Sequence, residues 1–169
     1  YYAYDFGRPP DGDRFYTTQP ARSEEFNVNL AFLEAKLVGD RVRGRVALQA
    51  GTSVQSNYAG EPTRGDVSGP DVAQFIQEAV AGARLLDGLW IDAGVYFSHI
   101  GQEGWISRDN PTYTRSFTAD FTPYYQAGVK LSWQATPALS AQLNVVNGWQ
   151  NISENNTSKA VGVRVEWRA

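Results

Sequence analysis

The chain contains 169 residues, with 18 acidic and 15 basic side chains, and its formal net charge is −3. Without a clustered excess of Lys and Arg, the sequence excludes the usual footprint of a nucleic-acid-binding protein, so no nucleic-acid partner is expected. Because it has no Cys and a single His, it also excludes a disulfide scaffold, a cysteine nucleophile and a multi-histidine metal centre.

Apolar and polar residues alternate with a period of two along most of the chain, which predicts β-strands. In chain order, the eight predicted strands are 2–6, 26–37, 41–55, 75–85, 89–97, 125–133, 139–149 and 161–168. No apolar run approaches the roughly 18 residues that a membrane-spanning helix requires, which excludes a helical membrane protein.

Two of these strands are less regular than the others. A change of parity within 26–37 predicts a bulge near Phe32 or a strand end there. Segment 75–85 has the composition of an amphipathic helix as well as of a strand, and Gln77 falls on its apolar face.

The connections between the predicted strands alternate in length. Residues 7–24, 57–73 and 98–117 form long loops, residues 39–40, 86–88 and 134–138 form short turns, and residues 150–159 form a polar loop of medium length. This alternation is typical of an up-and-down outer-membrane barrel, in which short turns face the periplasm and long loops face outside.

The apolar face of the strands carries aromatic residues at both ends and small aliphatic residues between them. The predicted aromatic girdle consists of Phe6, Phe26, Tyr58, Phe75, Phe97, Tyr125, Trp133, Trp149 and Trp167. Two membrane interfaces select this distribution, whereas a soluble sandwich or lipocalin-like barrel would place its large rings nearer the middle of the strands. The predicted fold class is therefore all-β, an antiparallel up-and-down transmembrane β-barrel with about eight strands in this chain.

The opposite face of the strands carries charges of both signs well inside the strands, which suits a hydrated or salt-bridged lumen. The predicted lumen-lining residues are Arg41, Arg43, Arg45, Gln49, Glu78, Arg84, Asp92, Tyr96, Gln126, Lys130, Gln142, Asn144, Arg164 and Glu166. The basic members of this set would bias permeation towards anions. Pairing with the acidic members would instead leave little net field.

Several stretches of the sequence resemble the OmpL-like beta-barrel porin family (beta-barrel porin-2) of Bacteroidota-type bacteria. The resemblance is carried by YYAYDF, EFNVNLAFLEAK, RVRGRVALQAGT, DAGVYFSHIGQEGWISRDNPTYTRS, PYYQAGVKLSW and LNVVNGWQNISENN. It covers essentially the whole chain in order, and its most specific part runs from Asp92 to Ser116.

The resemblance implies a protein of the bacterial outer membrane that allows passive diffusion of small polar solutes. It also implies that residues 1–169 are a single barrel domain and the N-terminal portion of a longer barrel, since family members are longer than this chain. Outer-membrane lipid and lipopolysaccharide are the expected surroundings, with a homo-oligomer or other outer-membrane proteins as possible partners.

A second hypothesis is a non-conducting accessory barrel that anchors a complex and presents its extracellular loops to partner proteins. The aromatic and basic loop residues Tyr16, Trp105, Arg108, Tyr113 and Arg115 suit such contact surfaces.

The sequence offers no enzyme site and predicts no cofactor and no metal. His99 begins a loop in which Glu103 is the nearest carboxylate, but neither a second His nor a Cys accompanies it, so a rim position is expected rather than a metal or catalytic role. A G-x-S-x-G elbow is also absent from the sequence.

Overall fold

The computed structural model describes residues 1–14, 17, 19–66 and 68–168. Its strands are β1 (Ala31–Val38), β2 (Val42–Ala50), β3 (Ile76–Leu86), β4 (Leu89–Phe97), β5 (Tyr125–Gln134), β6 (Leu139–Val146) and β7 (Ala160–Trp167). Its helices are α1 (Thr52–Tyr58), α2 (Pro70–Ala73) and two 3₁₀ helices at Ser107–Asp109 and Phe117–Phe121. None of the helices in these described ranges is long and apolar enough to span a membrane.

The seven strands form one sheet in which every strand pairs antiparallel with its neighbour in sequence. This confirms the predicted all-β, up-and-down architecture. Within the described residues β1 and β7 are the two edges of the sheet and do not pair with each other. The sheet is therefore open, consistent with part of a barrel.

The predicted first strand, 2–6, is wrong. Tyr2 makes only an isolated bridge to Phe26, with the two rings 5.1 Å apart. The chain then turns, because the amide of Arg8 bonds to the carbonyl of Asp5 and Arg8 adopts a φ of 47°. A turn this close to the bridge leaves no room for a ladder.

The predicted strand 41–55 extends too far. β2 ends at Ala50, and Gly51, with a φ of 142°, leads into α1. A Cβ at Gly51 would lie 2.2 Å from the carbonyl oxygen of Asn29, so the turn needs glycine in both conformation and space. Val54, which continues the alternation in sequence, is buried on α1 instead.

The bulge occurs in a different strand from the one predicted. β1 pairs with β2 in unbroken register from Ala31 to Val38, so Phe32 has no bulge. The strand boundary lies one residue before Phe32, at the start of β1, and the predicted strand residues 26–30 do not belong to a strand. In β3 the register shifts beside Glu78, which accommodates Gln77 as an extra residue. Gln77 is consequently buried among polar side chains, and the predicted segment 75–85 corresponds to strand β3 rather than to a helix.

The two faces of the sheet are inverted relative to a soluble protein. On the apolar face, large aliphatic side chains are exposed, including Leu33, Leu37, Val42, Val46, Leu48, Val129, Leu143, Val145, Val161, Val163 and Val165. On the polar face, the buried side chains include Gln49, Gln77, Glu78, Asp92, Gln126 and Asn144. Val163 is 66% exposed whereas Asp92 is 3% exposed, so the core of this sheet lies on its charged side.

We predict that Gly94→Ala destabilises the sheet by about 3 kcal/mol. Gly94 has a φ of 131°, and a Cβ there would lie 2.0 Å from the carbonyl oxygen of Ala79 on the neighbouring strand. The free energy of unfolding from a urea titration in lipid vesicles measures the effect. Gly60→Ala is the matched control, because among the described residues nothing lies within 4 Å of a Cβ there. An equal loss in the two variants would contradict the prediction.

Candidate functional site

The polar face is the candidate functional site, because the register aligns the predicted lumen-lining residues on it. In one row across the sheet, Arg43 faces Gly82, Gly82 faces Asp92, Asp92 faces Lys130 and Lys130 faces Asn144. The remaining strand residues of the predicted set occupy the same face in neighbouring rows, namely Arg45, Gln49, Glu78, Arg84, Tyr96, Gln126, Gln142, Arg164 and Glu166. Arg41 precedes β2 and is exposed.

Arg43 reaches across the intervening strand β3 to Asp92. Its Nε donates to Asp92 Oδ1 at 2.6 Å and its Nη2 donates to Oδ2 at 2.5 Å, while its guanidinium lies 4.4 Å from the ring centroid of Trp90. The strand between them places Gly82 at the crossing point, where a Cβ would lie 2.1 Å from Asp92 Oδ1. The missing side chain therefore makes room for a bidentate ion pair between non-adjacent strands.

A second network surrounds Arg45. Its Nη1 lies 2.5 Å from Glu78, its Nη2 lies 2.5 Å from Glu34, and Lys36 Nζ lies 2.9 Å from Glu34. Glu78 is buried, so its charge would be costly without the arginine beside it.

The same pairing extends to the far edge of the sheet and to the turn after β3. Arg164 and Arg168 contact Glu166 at 2.9 and 2.7 Å, and Arg84 lies 3.7 Å from Asp87. Arg43, Arg45 and Arg164, proposed from the sequence as anion-attracting, are thus each paired with a carboxylate.

Lys130 is held differently. Its ammonium lies 4.3 Å from the ring centroid of Tyr96, a cation–π contact on the polar face. Lys130 also lines a cavity of about 230 Å³ together with Arg43, Arg45, Glu78 and Asp92. A second cavity, of about 340 Å³, lies on the polar face near the short turns, where Trp90, Gln142 and Arg164 are among its lining residues.

A cluster of loop and helix residues packs at the end of the sheet that carries the long loops. Its buried members are Val54, Tyr58, Ala73, Trp105, Tyr124 and Tyr125, and we call it the cap cluster. Trp105 Nε1 donates to Gln49 Oε1 at 2.8 Å, and Gln49 Nε2 donates to the carbonyl of Gln74 at 3.1 Å. Gln49 thus joins the polar face of β2 to the loops above it.

Two members of the predicted aromatic girdle lie in the cap cluster, so their assignment to a lipid-facing girdle is wrong. Tyr58 and Tyr125 stack with ring centroids 4.2 Å apart and are 2% and 3% exposed. Tyr58 reaches this position because its segment forms α1 rather than the end of a strand. Its hydroxyl donates to the carbonyl of Ile76 at 2.9 Å, and burial raises the pKa of Tyr58.

The other predicted girdle residues divide into two groups. Phe97 is partly buried against the cap cluster, with its ring centroid 5.5 Å from the Arg45 guanidinium. The remaining six are exposed, namely Phe6, Phe26, Phe75, Trp133, Trp149 and Trp167.

The loop residues suggested for partner contacts are divided, because Arg108 and Tyr113 are exposed and two others are not. Trp105 and Arg115 are both buried. The Arg115 guanidinium lies 4.2 Å from the ring centroid of Tyr124, and burial lowers the pKa of Arg115. Tyr16 lies outside the described residues.

Glu61 is a structurally important residue that sequence reasoning missed, since it lies in a long polar loop without any periodic pattern. It is 5% exposed, and its Oε1 accepts hydrogen bonds from the amides of Ile152 and Ser153, each at 2.7 Å. Its Oε2 accepts a hydrogen bond from the Tyr125 hydroxyl at 2.8 Å. One carboxylate therefore ties two loops to the start of β5.

His99 is held within the fold and does not face Glu103. Its Nδ1 lies 2.8 Å from Gln126 Oε1, and its ring packs on Gly162, where a Cβ would lie 2.1 Å from Nε2. Glu103 instead accepts a hydrogen bond from the Ser116 amide at 2.9 Å. Within the described ranges, His, Asp and Glu form no group of three or more that could hold a metal ion.

The chain also resembles a known protein family. A family model described as Putative beta-barrel porin-2, OmpL-like, matches residues 1–169. Neither a curated protein nor a solved structure matches the chain.

We expect Glu61→Gln to loosen the loop around residue 152. The amide isostere keeps the shape of the side chain but removes the charge that strengthens three hydrogen bonds, at a cost of about 2 kcal/mol. Amide hydrogen exchange at Ile152 and Ser153 should accelerate by about 30-fold. Glu154→Gln is the control, because Glu154 is half-buried in the same loop region and contacts only nearby residues. Unchanged protection at Ile152 and Ser153 would refute the assignment.

Proposed function

We propose that this chain, which belongs to the Putative beta-barrel porin-2, OmpL-like family of outer-membrane β-barrel proteins, forms the wall of a pore. The pore would allow passive diffusion of small polar solutes. The solutes would pass along the polar face, while the apolar face contacts outer-membrane lipid and lipopolysaccharide.

The observation that carries this proposal is the inversion of the sheet. Fully burying a Val or Leu side chain is worth about 1.5–3 kcal/mol in water, so a soluble protein would cover the apolar face. Here Leu33, Val163 and Val165 are each more than half exposed, and they are flanked on the same face by others of their kind. Hydrocarbon is the solvent in which that surface carries no penalty.

The ends of the sheet support the same orientation. Trp133 and Trp167 are exposed at the ends of β5 and β7 that adjoin the short turns, and Phe75 and Trp149 are exposed near the opposite end. Indole and phenyl rings at both ends of an aliphatic band match the two interfaces of a bilayer.

The polar face supports a hydrated path. Its carboxylates and guanidinium groups satisfy one another in ion pairs, so the wall can be charged without leaving isolated buried charges. Beside these pairs lie the cavities of about 230 and 340 Å³, each of which has polar side chains in its lining.

The cap cluster favours a second candidate function, a non-conducting accessory barrel. Helix α1 and the loop that carries Trp105 pack together over the polar face at its long-loop end, and Gln49 and Glu61 fasten them there. A cap that closed the lumen completely would leave the loops as the functional surface.

Solute flux distinguishes the two candidates. We expect vesicles that contain the full chain to swell in isotonic arabinose and to show stepwise single-channel conductance in planar bilayers. Vesicles with heat-denatured protein are the control. Folded, membrane-inserted protein that gives neither swelling nor conductance would establish the accessory role instead.

The lipid-facing assignment has a separate test in Val163→Arg, which places a charge near the middle of β7 on the apolar face. We expect a loss of about 2–4 kcal/mol in the free energy of unfolding from lipid vesicles. Ser132→Arg is the matched control, because Ser132 lies on the polar face between the uncharged residues Trp90 and Gln142 and should lose much less. Equal losses in the two variants would contradict the assignment.

A further inference from the structure

We infer, on the basis of the proposed pore function, that Lys130 gives the lumen a preference for small anions, such as carboxylates and inorganic phosphate. The inference depends on which charges of the polar face are already paired and which are not.

The carboxylates around Lys130 are engaged by arginines. Asp92, its cross-strand neighbour, receives both donors of the Arg43 fork. Glu78 lies 2.5 Å from Arg45 Nη1. Farther along the face, Glu34 is shared between Lys36 and Arg45.

Lys130 is the basic residue of this group that is left without an ion-pair partner among the residues that the structure describes. Among the residues that the structure describes, no carboxylate lies within ion-pair distance of its ammonium, whose close contact is the ring of Tyr96. The Tyr96 ring holds the ammonium on the polar face without neutralising it, since an aromatic face attracts a cation but carries no net charge. Asp92 and Glu78 attract the ammonium from a greater distance, but each is already balanced by its arginine.

Paired and unpaired charges differ in the reach of their fields. The field of a close ion pair is that of a dipole and falls off quickly, whereas the field of a single charge extends over a screening length of about 8–10 Å at moderate ionic strength. Lys130 lines the same cavity of about 230 Å³ as Arg43 and Arg45. A solute in that space therefore experiences the local excess of positive charge that Lys130 supplies.

This assignment narrows the sequence-based hypothesis that the basic residues of the polar face, Lys130 among them, attract anions. Arg43 and Arg45 hold the wall together by pairing with carboxylates, and the lysine beside them sets the sign of the field. The class of favoured solute follows from the chemistry of a single ammonium group beside the cavity, which attracts compact anions but lacks the fork needed for bidentate recognition.

The test is the reversal potential of the full chain in planar bilayers under a gradient of potassium chloride. We expect anion selectivity in the wild type and a fall of about fivefold in the anion-to-cation permeability ratio for Lys130→Gln. Lys130→Arg should retain the selectivity, because it keeps the charge. Lys159→Gln is the matched control and should behave as the wild type, since it makes the same substitution at a lysine paired with Glu154 outside the strands.

Three results would overturn the inference, and each has a different consequence for the proposed pore. A conducting pore whose permeability ratio is the same in wild type and Lys130→Gln would refute the role of Lys130 and leave the pore intact. An equal fall for Lys159→Gln would show that the overall charge of the protein, rather than Lys130, sets the selectivity. Folded wild-type protein without conductance would refute the proposed pore and the role of Lys130 with it. Unfolding in urea establishes that Lys130→Gln is folded, and the charge-retaining Lys130→Arg separates loss of charge from loss of packing.

Discussion

The structure depends on one constraint, which is that the two faces of a single sheet meet different solvents. Large aliphatic side chains such as Leu33 and Val163 are exposed on one face, and Asp92 and Asn144 are buried on the other. A water-soluble sheet would reverse this arrangement, because exposed aliphatic area is unfavourable in water and buried carboxylates are unfavourable in a dry core. An outer-membrane β-barrel family provides the setting in which both faces are satisfied.

The polar face is stable because its charged side chains neutralise one another in ion pairs between strands. Arg43 spans β3 to reach Asp92, and this is possible because Gly82 leaves the crossing point empty. Arg45, on β2, pairs with Glu34 and Glu78 on the two neighbouring strands, β1 and β3. The arginines thus cross-link the wall, whereas the selectivity that we propose depends on the lysine beside them.

The long loops form a packed structure of their own and do not trail from the sheet. The cap cluster joins α1, α2 and the loop before β5, and the buried side chains of Gln49 and Glu61 attach it to the strands. A buried carboxylate that accepts two backbone amides and a hydroxyl is a specific fastening, because each partner must be in place to balance the cost of burying the charge. The width of any solute path is therefore decided by these loops together with the strands.

The sequence by itself determined the strands from β1 to β7, their antiparallel order and the face on which most of their residues lie, because a period of two is a local property of the chain. It did not determine the fate of segments where sequence alternation continues past a strand end, as at Val54, which is on a helix. Only the tertiary structure decided that Gln77 is accommodated by a bulge, that Tyr58 stacks on Tyr125 and that Arg43 pairs with Asp92. These are contacts between residues far apart in the chain, and their partners are selected by register and packing rather than by any local pattern.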